Sequence, residues 1–398
     1  MDLIIKSQDA LLIIIIPLMV ITARAVRANW KSLWDNNLTN EDRRILLQAS
    51  LFLLEPMVVF CHELGHVAAI KMSGGGIAEF HFAFLSGYVV PSGSFTDLQL
   101  LWIYLSGNLV EIIIGYLLLA AALFVSAPAV VATLVYLGLW SVASCAVMYA
   151  LMSLLGLYGD WSNIYSSPLH GAVAVIGVCH AIVIASIAYM LHSEKSQLWF
   201  AIKTRPTWAQ QYLEWKAETE RAPTAENFVH LAWLYYEASL YKAAKRALDE
   251  SLIIDPDNPQ AFYLYGWLVQ GHLNLDKAEE YFMKVVNSSR ASAQDKARAY
   301  MGIAVARLNR ASRAAAHPID PQTAKVDALQ AYAAACAADP ELADPRFHCA
   351  VLLNDLQRYA DAIKELDGLA GLNWLDSGLR KQVTEQMQIA RTKKPAKK

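Results

Sequence analysis

Three side chains inside a long apolar run have the types and spacing for metal chemistry: His62, Glu63 and His66, in the stretch Phe60-Cys61-His62-Glu63-Leu64-Gly65-His66-Val67. On a helix, histidines four positions apart project from one face, and the acid that follows the first lies beside them. Two neutral imidazoles at that spacing suit a zinc ion, and a neighbouring carboxylate can take a proton from metal-bound water. A buried hydrogen-bond network of the same three groups is the competing reading. The surroundings favour the metal. Leu51, Phe52, Leu53, Leu54, Met57, Val58, Val59 and Phe60 precede the motif, and Val67, Ala68, Ala69 and Ile70 follow it. Ionisable groups at membrane depth are costly and need a functional reason to be there.

A third ligand has to come from elsewhere in the chain. The stretch Gly156-Leu157-Tyr158-Gly159-Asp160-Trp161 ends another apolar run. Glycines on both sides break the helix and expose Asp160, and a carboxylate there can complete a three-ligand zinc site that keeps one position open. A helix-end cap beside Trp161 is the plainer alternative for Asp160. His81 is a poor ligand, set among apolar and aromatic residues. His180, mid-run in a later segment, reads as internally hydrogen-bonded. Glu55 reads as a packed or water-facing polar group, not a ligand.

The elements that must position these residues follow from composition. The chain has 398 residues, and a prior of ~150 per domain allows two or three domains. The part before Ser193 is a series of apolar runs; the remainder is Ala-rich, charged and helical in pattern. A formal net charge of −2 argues against nucleic-acid binding. The five cysteines, Cys61, Cys145, Cys179, Cys336 and Cys349, contain no C-x-x-C pair, so they form no disulfide framework and no thiolate zinc site. Each reads as a small buried apolar residue.

Five membrane spans are expected. The first, around Ala10 to Thr22 and extending to Val26, reads as an uncleaved span, with a cleaved signal peptide as the alternative, and a charged loop over 27–44 follows. The second runs from Ile45 to Met72, with Pro56 able to bend it next to the site. Ser73-Gly74-Gly75-Gly76 ends it, and Ile77 to Val90 alternates loosely around a Ser86-Gly87 turn, which reads as a small hairpin beside the membrane. Its edge is suited to pairing with an unwound substrate segment. The third span runs from Leu98 to Ser126 and holds Ser106-Gly107-Asn108, small residues that let helices approach closely, and then Glu111. The fourth runs from Ala129 to Leu155 and the fifth from Leu169 to Leu191.

The pattern of His62-Glu63-Leu64-Gly65-His66-Val67-Ala68-Ala69 in an apolar helix, a glycine-rich turn, a small-residue span and a later Gly159-Asp160-Trp161 resembles the site-2 protease family of intramembrane zinc metalloproteases. The resemblance covers Ile45 to Leu191. It implies zinc held by His62, His66 and Asp160, with Glu63 as general base, and peptide-bond hydrolysis in a locally unwound membrane helix. The second motif departs from the family: in many members the aspartate follows Asn and Pro and precedes Gly. Ser106-Gly107-Asn108 likewise only approximates the small-Gly-Pro turn of relatives.

Beyond the spans, Ser193 to Pro223 reads as a linker, with Trp199, Trp208 and Trp215 suited to the membrane interface. Ala232, Ala244, Leu248 and Pro256 then recur 34 residues later as Gly266, Ala278, Phe282 and Arg290, only the proline position failing. A third copy gives Gly302 and, after an insertion over Arg307 to Thr323, Ala328, Tyr332, Ala335 and Pro340. A fourth gives Ala350, Ala362 and Leu366. Small, then Ala, then bulky at this period is the tetratricopeptide signature, in which helix pairs stack into a superhelix. The tail Arg391 to Lys398 is basic and expected to be disordered near anionic lipid.

The expectation is therefore an all-α chain: a polytopic transmembrane helical bundle with a small extramembrane hairpin, followed by a tetratricopeptide α-solenoid. Its parts are a first span and loop (1–44), a metalloprotease core (45–192), a linker (193–223), the repeats (224–375) and a final helix with the basic tail (376–398). The cofactor is Zn2+. The partners are a membrane-protein substrate, a peptide or protein on the repeats, and the lipid bilayer, with no nucleic acid. An inactive membrane-anchored tetratricopeptide adaptor is one rival; a transporter using the polar groups as an ion path is another. Basic residues crowd the loop after the first span (Arg24, Arg27, Lys31, Arg43, Arg44) and the segment after the fifth (Lys195, Lys203, Arg205), which places both, and the repeats, in the cytoplasm. The site then sits toward the opposite face, whereas the resemblance implies a site nearer the cytoplasm.

Overall fold

The computed structural model describes residues 2–35, 38–155, 159–271, 274–313, 320–371 and 377–393. It divides into two compact units, Met1–Gln211 and Tyr212–Lys398.

The first unit begins with α1 (Asp2–Ala28), which contains the stretch expected as a first span, and a short α2 (Trp30–Leu33). Thr39 caps α3 (Asn40–Ala49): its hydroxyl accepts from the Asp42 N–H while the Asp42 carboxylate accepts from the Thr39 N–H. The helix runs on through a π-helical turn (Ser50–Leu54) into α4 (Glu55–Met72). Pro56 stands in the first turn of α4. Proline has no N–H to give and crowds the carbonyl four residues back, so a widened turn is where a helix can absorb it. Gly74, at φ +79°, lets the chain leave α4.

The hairpin follows as β1 (Gly76–Phe82) and β2 (Gly87–Ser92), antiparallel, with Phe82 opposite Gly87 and a register shift between Ile77 and Glu79. Ile77, Val89 and Phe95 pack on Ala69, Ile70 and Ile103, which fixes the hairpin to the helices. His81 stacks on Tyr88 with ring centroids 5.1 Å apart.

Thr96 and Gln99 form a second capping box that opens α5 (Asp97–Phe124). Next come α6 (Pro128–Ala143), a second π-helical turn (Ser144–Tyr149), α7 (Ala150–Leu154), α8 (Asp160–Tyr165) and α9 (His170–His192). A Cβ on Gly138 would stand 2.7 Å from the Gly115 carbonyl oxygen, so α5 and α6 touch backbone to backbone. Four helices among the described residues are long and apolar enough to cross a membrane: Asn40–Met72, Asp97–Phe124, Pro128–Ser153 and His170–His192. The last leaves most of its surface outside the fold, with Val175, Val178 and Ile182 62–64% exposed.

The expected linker, 193–223, holds two helices, α10 (Glu194–Thr204) and α11 (Pro206–Arg221), in keeping with the helical pattern of the chain from Ser193. Trp199 and Phe200 pack against the cluster of Ala122, Val131 and Val135, so Trp199 is a packing residue. Among the cysteines, Cys145 and Cys349 are buried, but Cys179 is exposed and Cys61 and Cys336 are half-buried; all five are free thiols.

The second unit is a run of antiparallel helix pairs: α12 (Ala225–Glu237) with α13 (Tyr241–Ile254), α14 (Pro259–Gly271) with α15 (Leu275–Asn287), α16 (Ala293–Arg313) with α17 (Pro321–Ala338), and α18 (Ala343–Asp355) with α19 (Tyr359–Ala370). A last helix, α20 (Ser377–Lys393), covers the end of the stack, its Val383 and Met387 packing with Leu366 and Leu369. This is a tetratricopeptide-type solenoid. Ala232, Ala244, Leu248, Ala278, Phe282, Ala328, Ala335, Ala350, Ala362 and Leu366 are all fully buried. Phe282 explains the two glycines: a Cβ on Gly266 or on Gly302 would fall 2.5 Å from its ring. Arg290, where the repeat pattern asks for proline, pairs bidentately with Asp255 at 2.7 and 2.9 Å and ties one helix pair to the next. That guanidinium holds the Asp255 carboxyl below its ordinary value. The insertion is partly a lengthened α16, ending at Arg313; residues 314–319 lie outside the described residues, as do 394–398 of the basic tail.

Candidate metal centre

The α4 helix presents His62 and His66 one turn apart, with ring centroids 4.9 Å apart and both residues 6% exposed. The α5 helix crosses them closely. A Cβ on Gly65 would stand 2.9 Å from the Ser106 carbonyl oxygen, and one on Gly107 would stand 2.7 Å from His62 Cδ2. The small residues of the Ser106-Gly107-Asn108 stretch therefore do more than pack helices: they let a backbone pass alongside the imidazoles.

That passage supplies the partners that orient both rings. His66 Nδ1 donates to the Ile103 carbonyl at 2.7 Å, and His62 Nδ1 donates to Glu111 Oε2 at 2.7 Å. Each Nε2 is then left with its lone pair facing the other. The two Nε2 atoms are 3.1 Å apart. Asp160, the first residue of α8, brings Oδ2 to 3.2 Å from His62 Nε2 and 3.0 Å from His66 Nε2. Four ligands about 2.05 Å from a tetrahedral zinc stand about 3.3 Å from one another. The three donor atoms thus form a nearly equilateral triangle of the size zinc requires, and the residues fit the ion.

Asp160 is held by what surrounds it. Its N–H donates to the Tyr149 hydroxyl at 2.9 Å, and that hydroxyl lies 3.3 Å from Asp160 Oδ2. Tyr149 closes the second π-helical turn, whose widened ladder leaves Cys145 and Ala146 carbonyls to be met from outside the helix. The Trp161 indole donates to the first at 2.8 Å and the His180 imidazole to the second. His180 stacks on Trp161 at 3.9 Å and accepts from the Tyr165 hydroxyl, so it is internally hydrogen-bonded, as its sequence context suggested. Residues 156–158, the first part of the expected helix break, lie outside the described residues.

Glu63 is 3% exposed, and its Oε2 has no hydrogen-bond partner among the described residues. A buried carboxylate oxygen without a partner is uncommon and calls for a reason, such as a proton or a water that it is there to meet. Gly87, at the start of β2, lies directly against this carboxylate: a Cβ there would fall 2.6 Å from Oε1. The hairpin therefore roofs the acid.

The structure brings His62, Glu63, His66 and Asp160 to one place and leaves His81 elsewhere, beside Tyr88. Glu55 is 2% exposed and lies 2.6 Å from Ser141 Oγ, a buried packing group as expected and not a ligand. The sequence pointed to no part in the site for Glu111 or Tyr149, and marked Gly87 only as a turn residue. Glu111 carried a usable signal, an acid within an apolar span. Tyr149 and Gly87 carried none, because their part depends on chain crossings.

No family model matches the sequence, and no curated protein matches it. Solved structures do. PilF of Pseudomonas aeruginosa is similar at 14% identity and a TM-score of 0.37, over 50% of this chain and 86% of that one. YrrB, described as a tetratricopeptide protein with an unusual peptide-binding site, is similar at 13% identity and a TM-score of 0.31, over 46% and 92%. Yeast Tom70 is similar at 14% identity and a TM-score of 0.40, over 88% and 73%. The assignment of 212–398 as a helical-repeat solenoid rests on its own helix pairs.

Proposed function

We propose that this protein is an intramembrane zinc metalloprotease that hydrolyses peptide bonds in or near transmembrane segments of membrane proteins, with its helical repeats recruiting a peptide or protein partner. The observation that carries the reading is the convergence of His62 Nε2, His66 Nε2 and Asp160 Oδ2 at 3.0–3.2 Å beside the unpartnered Glu63 oxygen. Helical spacing pairs the two imidazoles, but packing alone gives no reason to bring a carboxylate from a distant part of the chain onto them in apolar surroundings. The four long apolar helices support a membrane setting, and the exposed face of α9 suits lipid.

His62, His66 and Asp160 would hold the ion. Zinc there supplies Lewis acidity, which makes water nucleophilic near neutral pH and polarises a carbonyl. Glu63 takes the proton from the attacking water and returns it to the leaving amine, as a base that becomes an acid. Ile103 holds the His66 imidazole in the tautomer that binds. The hairpin keeps bulk water from Glu63, and its strand edge is suited to an unwound substrate segment. The ladder of Trp233, Tyr263 and Trp267, with centroids 6.2 and 6.3 Å apart, offers the repeats an aromatic surface for a partner.

A second reading is a membrane-anchored adaptor that does no chemistry. It is favoured by the repeat unit, an interaction fold that makes up nearly half of the chain. Zinc analysis and a cleavage assay on the wild type and Glu63→Gln separate the two. The protease reading expects one zinc in both proteins and cleavage only in the wild type, with the variant trapping substrate. Absence of cleavage by a zinc-loaded wild type toward every membrane protein that its repeats capture would favour the adaptor.

A further inference from the structure

Of the two imidazoles, His62 alone is oriented by a charged group. His66 Nδ1 meets a backbone carbonyl, whereas His62 Nδ1 meets the Glu111 carboxylate at 2.7 Å, buried at 6% exposure in an otherwise apolar stretch of α5. An acid in that setting is expensive unless something needs it. Nor is it loosely placed. Its second oxygen, Oε1, lies 3.2 Å from Ser144 Oγ, at the first residue of the second π-helical turn. The same hydroxyl lies 3.4 Å from Glu55 Oε1, and Ser141 Oγ lies 2.6 Å from Glu55 Oε2. Ser144, half-buried and closest to the Ser141 carbonyl at 3.0 Å, thus stands between Glu55 and Glu111, behind the face of His62 that points away from the metal triangle. Cys145, whose sulfur also approaches this cluster, is occupied with Asn108 Oδ1 at 3.2 Å.

We propose that Glu111 is the positioning residue of the metal centre. By accepting the Nδ1 proton of His62 it leaves the Nε2 lone pair directed at His66 and Asp160, and its charge makes that nitrogen a stronger donor to a cation. Without it, the other tautomer would aim an N–H into the triangle. The inference rests on the metal-centre reading above and goes beyond it by naming the group that makes His62 a ligand.

The test uses the metal-free full-length protein in detergent. Zinc affinity is read by competition with a chromophoric chelator, and ligand geometry by the visible bands of the cobalt(II)-loaded protein. Glu111→Leu, which has no acceptor, is expected to weaken zinc binding about 10- to 100-fold and to displace the cobalt bands. Glu111→Gln, whose carbonyl still accepts, is expected to restore most of that affinity, with a loss of about 3- to 10-fold and a smaller band shift. A purely structural acid would lower the yield of folded protein but leave the bands of the folded fraction unchanged. Glu111→Leu with wild-type affinity and bands overturns the proposal. Should that variant not fold, Glu111→Gln decides: affinity and bands identical to wild type overturn it. A wild type that takes up neither ion overturns the metal-centre reading itself, a result distinct from a variant that matches a metal-binding wild type.

Discussion

Asp160, a metal ligand in the proposed reading, is placed by its neighbours. Its N–H and its carboxylate both meet the Tyr149 hydroxyl, so that one phenol aims the acid at the two imidazoles. Tyr149→Phe keeps the ring and removes both contacts. The expected cost is about 1–3 kcal/mol of zinc binding, from one or two lost hydrogen bonds, measured by chelator competition. Gly87 makes the opposite demand, for the absence of a side chain. Gly87→Ala would drive a methyl group into Glu63 and displace the carboxylate without touching a ligand. Zinc content is therefore expected to stay at the wild-type level, while the turnover rate falls about 10- to 100-fold, since small displacements of a catalytic group are costly. Loss of zinc in this variant would show that the hairpin holds the metal site together and does not merely cover its base.

At the scale of elements, the two π-helical turns act as adjusting pieces. The first admits Pro56 at the start of α4 and lets the helix that carries His62 continue; the second frees carbonyls that Trp161 and His180 then fill, which fixes α8 and so Asp160. In the repeats, the corresponding piece is a side chain. Phe282 fills the space that Gly266 and Gly302 leave between α14, α15 and α16. Phe282→Ala should cost about 3–5 kcal/mol there, because glycines on both sides cannot close the cavity. Hydrogen exchange on the full-length protein should show protection lost across these three helices, with zinc content unchanged. Protection retained throughout would mean that the stack is held by its capping pairs and not by this core.

For the whole molecule, the number of apolar helices bears on orientation. Four lie between the basic loop after α1 and the basic segment at α10, an even number that returns both to one side of a membrane. On the charge rule we propose that this side is the cytoplasmic one and that the repeats lie there too. In sealed vesicles of known orientation, protease added from the cytoplasmic side is expected to digest the C-terminal tail, and protease from the opposite side to leave it intact. The reverse pattern would move the metal site to the cytoplasmic half. His62 lies about 15 Å along the helix from its Met72 end, so depth and orientation are linked in one measurement.

Much of this was legible in sequence, for reasons of periodicity. The motif at 62–66 announces itself because helical spacing alone brings its two histidines to one face. The four long apolar helices among the described residues and the repeats are legible because apolar length and a fixed period are local properties of the chain. The hairpin, too, follows from loose alternation around Ser86-Gly87. The packing of Trp199, expected at a membrane interface, was not legible, because its partners Ala122, Val131 and Val135 lie far from it in sequence. What only the tertiary structure decided is which distant groups meet: Glu111 behind His62, Tyr149 around Asp160, Gly87 over Glu63. None of these has a sequence signature, because each depends on where two backbones cross, and that is settled by the close approach that residues such as Gly65 and Gly107 permit, not by the spacing of residues along one strand or helix.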